Sequence, residues 1–147
     1  MKRSVLVIKL GALGDILLAL DAFQSIRHHH AKDRLVLLTR PAFVSLARRM
    51  PWFDDVWPDP APRFWQVSRW LALRRQFREA RFNRVYDLQC NDRTAFYFRI
   101  WGKPKPEWVG AAQGCSHPRP DFRGQRLPVT ERLLRQLEAA GVARTGP

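Results

Sequence analysis

Acidic residues are scarce in this chain of 147 residues. Thirteen Asp and Glu stand against 26 Lys and Arg, giving a formal charge of +13 and an isoelectric point near 11.3. That imbalance implies an anionic partner, whether nucleic acid, a membrane surface, or a phosphorylated or carboxylated substrate. Cysteine is scarcer still. Cys90 and Cys115 are the only two, and they lack metal-ligand spacing. They read as reduced thiols of a cytosolic protein rather than a disulfide framework or a zinc site. No apolar run reaches the ~20 residues that span a bilayer. Lys2 and Arg3 do precede an apolar stretch, but Lys9, Gly11, Gly14 and Asp15 interrupt it, which excludes a secretory signal. The expected location is therefore cytoplasmic, peripheral at most to a membrane. There is no internal repeat, no low-complexity tract, no Gly-Lys-Ser/Thr phosphate loop and no GxGxxG fingerprint.

What is present is a chain with enough apolar residues, 46%, for a real core, organised as one domain over residues 1–147. Its most informative stretch is Ser4 to Arg27. Val5-Leu6-Val7-Ile8 is a continuous, β-branched apolar run, as expected of a strand buried on both faces of a parallel sheet. Gly11 and Gly14 then give backbone freedom and close approach, and Asp15 stands where the period becomes helical. Ile16, Leu20, Phe23 and Ile26 make the helical stripe, which Leu17, Leu18 and Ala19 widen, so the first half of this helix is expected to be mostly buried. A strand feeding a helix through glycines favours an anionic or polar ligand. For Asp15 itself, an ordinary acid in the first turn of a helix is the plain alternative to a catalytic role.

The remaining elements follow in alternation. His28, His29 and His30 are adjacent and so point in different directions around a helix; they read as a solvated helix end, not a metal site. Leu35–Thr39 is a second buried strand. Pro41 opens a short helix with Phe43, Leu46 and Ala47 inward, and a brief strand surrounds Val56. A helix over about Phe64–Ala80 buries Val67, Trp70, Leu73, Phe77 and Ala80. Between Arg63 and Arg84 seven arginines face one acid, Glu79. A solvated face normally mixes signs, so Arg74, Arg75, Arg78 and Arg81 are candidates for contact with an anionic membrane surface. Arg84–Gln89 is a fourth strand, and Thr94–Trp101 is helical. Glu107–Gly110 is a last short strand, and residues 111–126 form a long loop. The final helix has Leu133, Leu134, Leu137 and Ala140 on one face. The pattern predicts an α/β, Rossmann-like, doubly wound and mostly parallel sheet. Ligands of such sheets sit beyond the carboxyl ends of strands, where both Gly11–Asp15 and the trio Gln89, Asn91 and Arg93 fall.

Four stretches, VLVIKLGALGDILLALDAFQSIR, RLVLLTRPAF, FNRVYDLQCNDRTAFYFRIW and LPVTERLLRQLEAAGV, together resemble the N-terminal half of the family 9 glycosyltransferases, the heptosyltransferases of lipopolysaccharide core assembly. The resemblance implies one half of a GT-B fold, in which two Rossmann-like domains face a cleft. The first shapes the acceptor site and the second binds a nucleotide-activated sugar, typically ADP-heptose. By motif, Asp15 matches the family's proposed catalytic base, and Gly11, Gly14, Gln89, Asn91 and Arg93 fall on the acceptor side. The resemblance implies an anionic glycolipid acceptor, an ADP-sugar as co-substrate, no metal and no other cofactor. It also implies a donor-binding domain that this sequence does not include, supplied by a further part or a separate chain, without which transfer is not expected. The sequence departs from the family at Asp21, usually Pro, at Cys90, usually Gly, and at Asn91-Asp92, usually small or apolar. Two other readings use the same features: a basic nucleic-acid-binding protein, for which no recognised module is present, and a stand-alone nucleotide or phosphate module on the Gly11 turn, against which the Asp15 carboxylate counts.

Overall fold

The computed structural model describes residues 2–145; residues 1, 146 and 147, at the ends of the predicted domain, lie outside the described residues. Six strands run in the order β1 (Ser4–Ile8), β2 (Arg34–Thr39), β3 (Asp55–Pro58), β4 (Arg84–Asp87), β5 (Glu107–Gly110) and β6 (His117–Pro118). They form one sheet, ordered β3-β2-β1-β4-β5-β6. Every pairing is parallel. This is the Rossmann-like order, with its reversal between β1 and β4. β1 is central, with Leu6 opposite Val36 of β2 on one side and Val85 of β4 on the other.

The apolar run of β1 is continuous because both faces are covered. Val5 and Val7 join a core with Leu35, Leu37, Val56, Tyr86 and Val109. That face is covered by α1 (Leu13–Leu18), α2 (Leu20–His29), α3 (Val44–Arg48, after a 3-10 turn at Pro41–Phe43) and the chain's last helix. Leu6 and Ile8 point the other way, to Val36, Leu38, Val85 and Trp108 beneath α4 (Val67–Glu79) and α5 (Asp92–Ile100). The last helix, α6 (Val129–Ala139), brings Leu133 and Leu137 to the first face. Each of these fully buried side chains contributes about 1.5–3 kcal/mol relative to exposure.

Five expectations need correction. Leu46, expected inward, is exposed, and of α3 only Ala47 is fully buried. The first helix is two helices. Ala19 lies between them with its N–H on the Ile16 carbonyl, 3.1 Å, and the phase of the stripe is reset there. Ile16 and Ala19 therefore reach the core, while Leu13, Leu17 and Leu18 are exposed rather than buried. The fourth helix starts at Val67, not Phe64, and Val67 faces solvent. Of the three histidines, His30 is not solvated but buried, because α2 ends over β4 and Tyr86 takes its ring. Finally, the stretch read as a long loop contains β6, which pairs Val109 with His117 and Gly110 with Pro118.

Candidate functional site

The strand order reverses between β1 and β4, so the segments beyond their carboxyl ends, residues 9–15 and 88–93, lie side by side as the walls of a candidate crevice. The two turns are tied together across it. The Leu10 and Gly11 amides both donate to Gln89 Oε1, at 3.0 and 3.4 Å. The Lys9 ammonium, buried, donates to the Leu88 carbonyl at 3.2 Å. Burial lowers its pKa, and the Asp15, Cys90 and Asp87 charges act in the opposite direction. Gly11 is required where it stands. Its φ is +103°, and a Cβ there would lie 2.4 Å from the Phe43 ring. Gly14 differs: it is helical, and nothing approaches the Cβ position within 4 Å. Space is left open on the helix surface one residue before Asp15.

Asp15 is half-buried in the first turn of α1. Among the described residues its carboxylate enters no ion pair. It is available to a ligand in a way that the neighbouring acids are not. Asp87, at the end of β4, is buried and accepts the Gln89 and Cys90 amides at 3.1 and 2.9 Å. Burial nevertheless pushes its pKa up to about 6. Gly110 of β5 accommodates it, since a Cβ there would sit 2.9 Å from the Asp87 Cβ. Asp59, after β3, is also buried. It pairs with Arg93 at 3.2 Å and accepts the Tyr97 hydroxyl. Burial and the Asp59 charge raise the pKa of that tyrosine.

The structure thus brings Gly11, Gly14, Asp15 and Gln89 to one crevice. Asn91 and Arg93 border it, and both are engaged. Asn91 is the N-cap of α5, accepting the Thr94 amide at 2.9 Å in a reciprocal capping box. Arg93 reaches sideways to Asp59. Cys90, which stands where glycine is usual, adopts φ +51°. The turn therefore keeps a left-handed residue without glycine, held by its amide on Asp87 Oδ1 and by its thiol, 3.0 Å from the Asp87 carbonyl. Burial pushes that thiol's pKa up to about 12, which makes it a structural rather than a reactive group.

Sequence reasoning missed three contributors. Gln136 of α6 is buried and donates to the Asp87 and Val109 carbonyls, at 3.0 and 3.4 Å, beneath the crevice. Lys9 read only as an interruption of an apolar run. Arg119 follows β6, its amide on the Gly110 carbonyl at 2.8 Å, and its charge is felt at Cys90. It lines a cavity of about 580 Å³ with Gly110, Pro120, Phe122 and Arg123. Only the unrecognised sixth strand would have placed it at a carboxyl end. Another cavity, about 450 Å³, lies at the opposite end of the sheet, lined by Arg81, Asn83 and Glu107 among others, away from the crevice. No group of three or more His, Cys, Asp or Glu able to hold a metal ion occurs among the described residues. No helix among them is long and apolar enough to cross a membrane.

No protein-family model matches this sequence, and no curated relative matches it. Solved structures do. A family 9 glycosyl transferase from Veillonella parvula superposes with a TM-score of 0.79 at 16% identity, over 96% of this chain and 42% of the other. The fold is shared with family 9 glycosyltransferases. The E. coli ADP-heptose lps heptosyltransferase II gives a TM-score of 0.70 at 20% identity, over 92% of this chain and 40% of that one. The E. coli heptosyltransferase WaaC, solved with ADP-2-deoxy-2-fluoro heptose, gives 0.66 at 18%, over 98% and 50%. The chain therefore spans half or less of the length of these structures, and the likeness is one of fold.

Proposed function

We propose that this chain is the acceptor-binding portion of an inverting glycosyltransferase. It acts with a donor-binding half to move heptose, or a related sugar, from an ADP-sugar to a lipopolysaccharide core or similar glycolipid. The observation that carries this reading is the Asp15 carboxylate, unpaired beside the open surface at Gly14, at the strand-order reversal of a fold shared with enzymes of that activity. In the reaction an acceptor hydroxyl oxygen attacks the anomeric carbon of the donor. The bond from that carbon to the ADP oxygen breaks, ADP leaves with the electron pair, and the configuration inverts. The proton of the attacking hydroxyl passes to Asp15. The contribution of Asp15 is chiefly positional, since a fixed carboxylate at hydrogen-bond distance replaces a bimolecular encounter with solvent.

The tie between the turns also bears on the alternative of a stand-alone phosphate cradle. Such a cradle needs free amides at the turn, but those of Leu10 and Gly11 are already directed to Gln89. Lys9, Gln89, Gln136 and Asp87 hold the walls of the crevice, while Asp15 and the surface at Gly14 remain for the acceptor. The net charge of +13 suits an acceptor that carries phosphates and acidic sugars. The test is turnover with ADP-heptose and a lipid A-type acceptor, in the protein supplied with its donor-binding half. Asp15→Asn should lower kcat about 100-fold or more, the usual scale for losing a general base, with acceptor affinity nearly unchanged. Normal turnover in that variant would overturn the assignment.

A further inference from the structure

The second unexplained feature is an ordered apolar surface on the other helical layer. After β3 the chain is pinned by the buried Asp59, which accepts the Ala61 amide, Arg93 and Tyr97. The next residues do not turn inward. Phe64 is 86% exposed and Trp65 60% exposed, and their rings pack edge to face at 5.1 Å. This knuckle is built rather than loose. The Arg63 amide donates to Gln66 Oε1 at 2.8 Å, and the Trp70 indole donates to the Arg63 carbonyl at 2.9 Å. The apolar surface continues onto α4, where Val67 and Leu71, one turn apart, are 63% and 57% exposed. On the opposite side of the same helix Leu73 and Phe77 fill the core.

Arginine surrounds the patch. Arg63 lies over the Trp65 ring at 5.4 Å, and Leu71 shares a depression with Arg74, Arg75, Arg78 and one acid, Glu79. Among the described residues none of Arg63, Arg69, Arg74, Arg75, Arg78 and Arg81 pairs with a carboxylate. They are not equivalent, however. Arg78 donates to the Trp101 and Lys103 carbonyls at 2.7 and 2.9 Å, and Arg81 lines the cavity at the amino end of the sheet. Arg63 and Arg75 are exposed, Arg63 beside Phe64 and Trp65 and Arg75 one turn beyond Leu71, whereas Arg69 lies off the face of Val67 and Leu71 and donates to Gln66 Oε1 at 3.4 Å.

We propose that Phe64, Trp65, Val67 and Leu71 form a docking surface for an anionic phospholipid bilayer, with Arg63 and Arg75 held at its headgroups. Aromatic and aliphatic side chains flanked by uncompensated arginine suit the boundary between headgroups and acyl chains. Exposed arginines without carboxylate partners are free to meet anions, and an anionic bilayer supplies both an apolar phase and fixed negative charge. The surface follows the carboxyl end of β3, so docking would place the crevice near a membrane that carries glycolipid. This deepens the reading of the crevice as an acceptor site, but the test contains neither acceptor nor donor, so either can fail without the other.

The experiment is flotation of the chain with vesicles of phosphatidylglycerol and phosphatidylethanolamine, against vesicles of phosphatidylcholine alone. Anionic vesicles should be bound at least tenfold more tightly, with an affinity that falls as salt rises. Phe64→Ser/Trp65→Ser should reduce that affinity about tenfold or more while leaving circular dichroism and Tm unchanged, because both side chains are exposed. Arg63→Gln/Arg75→Gln should remove most of the salt dependence. Brominated lipid should quench part of the fluorescence of the six tryptophans, and that part should vanish in Trp65→Phe. Equal affinity of the aromatic variant, absence of binding to anionic vesicles, or self-association of the chain abolished by the same variant would each overturn the proposal. The last outcome would assign the patch to a second copy of the chain. Loss of vesicle binding on addition of the donor-binding half would likewise overturn it and assign the patch to that half.

Discussion

At the amino end of the sheet one side-chain network joins four elements, and at the carboxyl end the Asp15 carboxylate stands apart from the hydrogen bonds that tie its neighbours. On the first side His30 Nδ1 lies 2.8 Å from Asp33, and its Nε2 lies 2.7 Å from the Tyr86 hydroxyl. Arg84 reaches that same hydroxyl at 3.1 Å, the Ala140 carbonyl at 3.1 Å and Glu107 at 3.1 Å. A neutral imidazole donating to Asp33 and accepting from Tyr86 satisfies both ring nitrogens and the tyrosine hydroxyl, while Arg84 Nε is buried without a partner among the described residues. Burial, the largest influence on His30, lowers its pKa and favours that neutral form. The network joins α2, β4, β5 and the end of α6. On the second side, among the described residues, Asp15 enters no ion pair and Gly14 faces open space, while Thr39 Oγ1 is buried without a partner there as Arg84 Nε and Trp108 Nε1 are toward the amino end. A connected polar network fixes a structure, whereas an unpaired carboxylate at a strand-order reversal is what a ligand can use. On the proposed function, the contrast assigns stability to one end and chemistry to the other.

Four perturbations can break or sharpen that contrast. The largest effect is expected from His30→Ala, which opens a cavity and leaves the Tyr86 O–H without its acceptor, though its oxygen keeps Arg84. A loss of about 3–4 kcal/mol in urea unfolding follows from the two costs together, and a loss below about 0.5 kcal/mol would remove the network as the anchor of the amino end. The second effect is a pH dependence of opposite sign at the two ends. Asp87 has a folded pKa of about 6 against an ordinary value of 3.8, so the folded state holds its proton longer. Its contribution is complete below pH 3.8 and is lost as the pH rises through 6, by up to about 3 kcal/mol. Asp87→Asn should flatten that slope. His30 is lowered from 6.5, so its contribution is lost instead as the pH falls below 6.5. Unfolding curves between pH 4 and 7.5, measured on the wild type and each variant, separate the two.

The third perturbation is Gly11→Ala. The positive φ and the Phe43 ring should together cost about 1–2 kcal/mol. The smallest belong to the residues assigned to the ligand. Asp15→Asn and Gly14→Ala should each change stability by no more than about 0.5 kcal/mol, the scale of helix-dipole and propensity effects near a helix start. A large loss from either would show that the carboxyl end is structural as well.

Much of this architecture is legible in the sequence because burial on two faces leaves a plain mark. The runs at Val5–Ile8 and Leu35–Thr39 are continuous where an exposed strand would alternate, and they are the two longest-buried strands of the sheet. The position of the crevice follows from the same reading, since Gly11 and Gln89 both stand just past the end of a strand. Three things were not legible. The break at Ala19 carries no proline or glycine, so the continuous stripe suggested a single helix and hid the exposure of Leu13, Leu17 and Leu18. β6 has only two residues, His117 and Pro118, too few for any periodicity. The partners of polar residues are set by tertiary contacts. Nothing local says that Gln89 spends its side chain on the opposite turn, that Arg93 turns to Asp59, or that one of three adjacent histidines is buried against Tyr86.

The most direct test of the division between the two ends is an amide chemical-shift titration of the isotopically labelled chain. The ligand is a water-soluble phosphorylated headgroup of an acidic glycolipid. The account predicts shifts at Gly11, Gly14, Asp15 and Gln89 through Arg93, with His30, Arg84 and Glu107 unmoved. Shifts concentrated at the amino end, around Arg81, Asn83 and Glu107, or no shifts at saturating ligand, would contradict it.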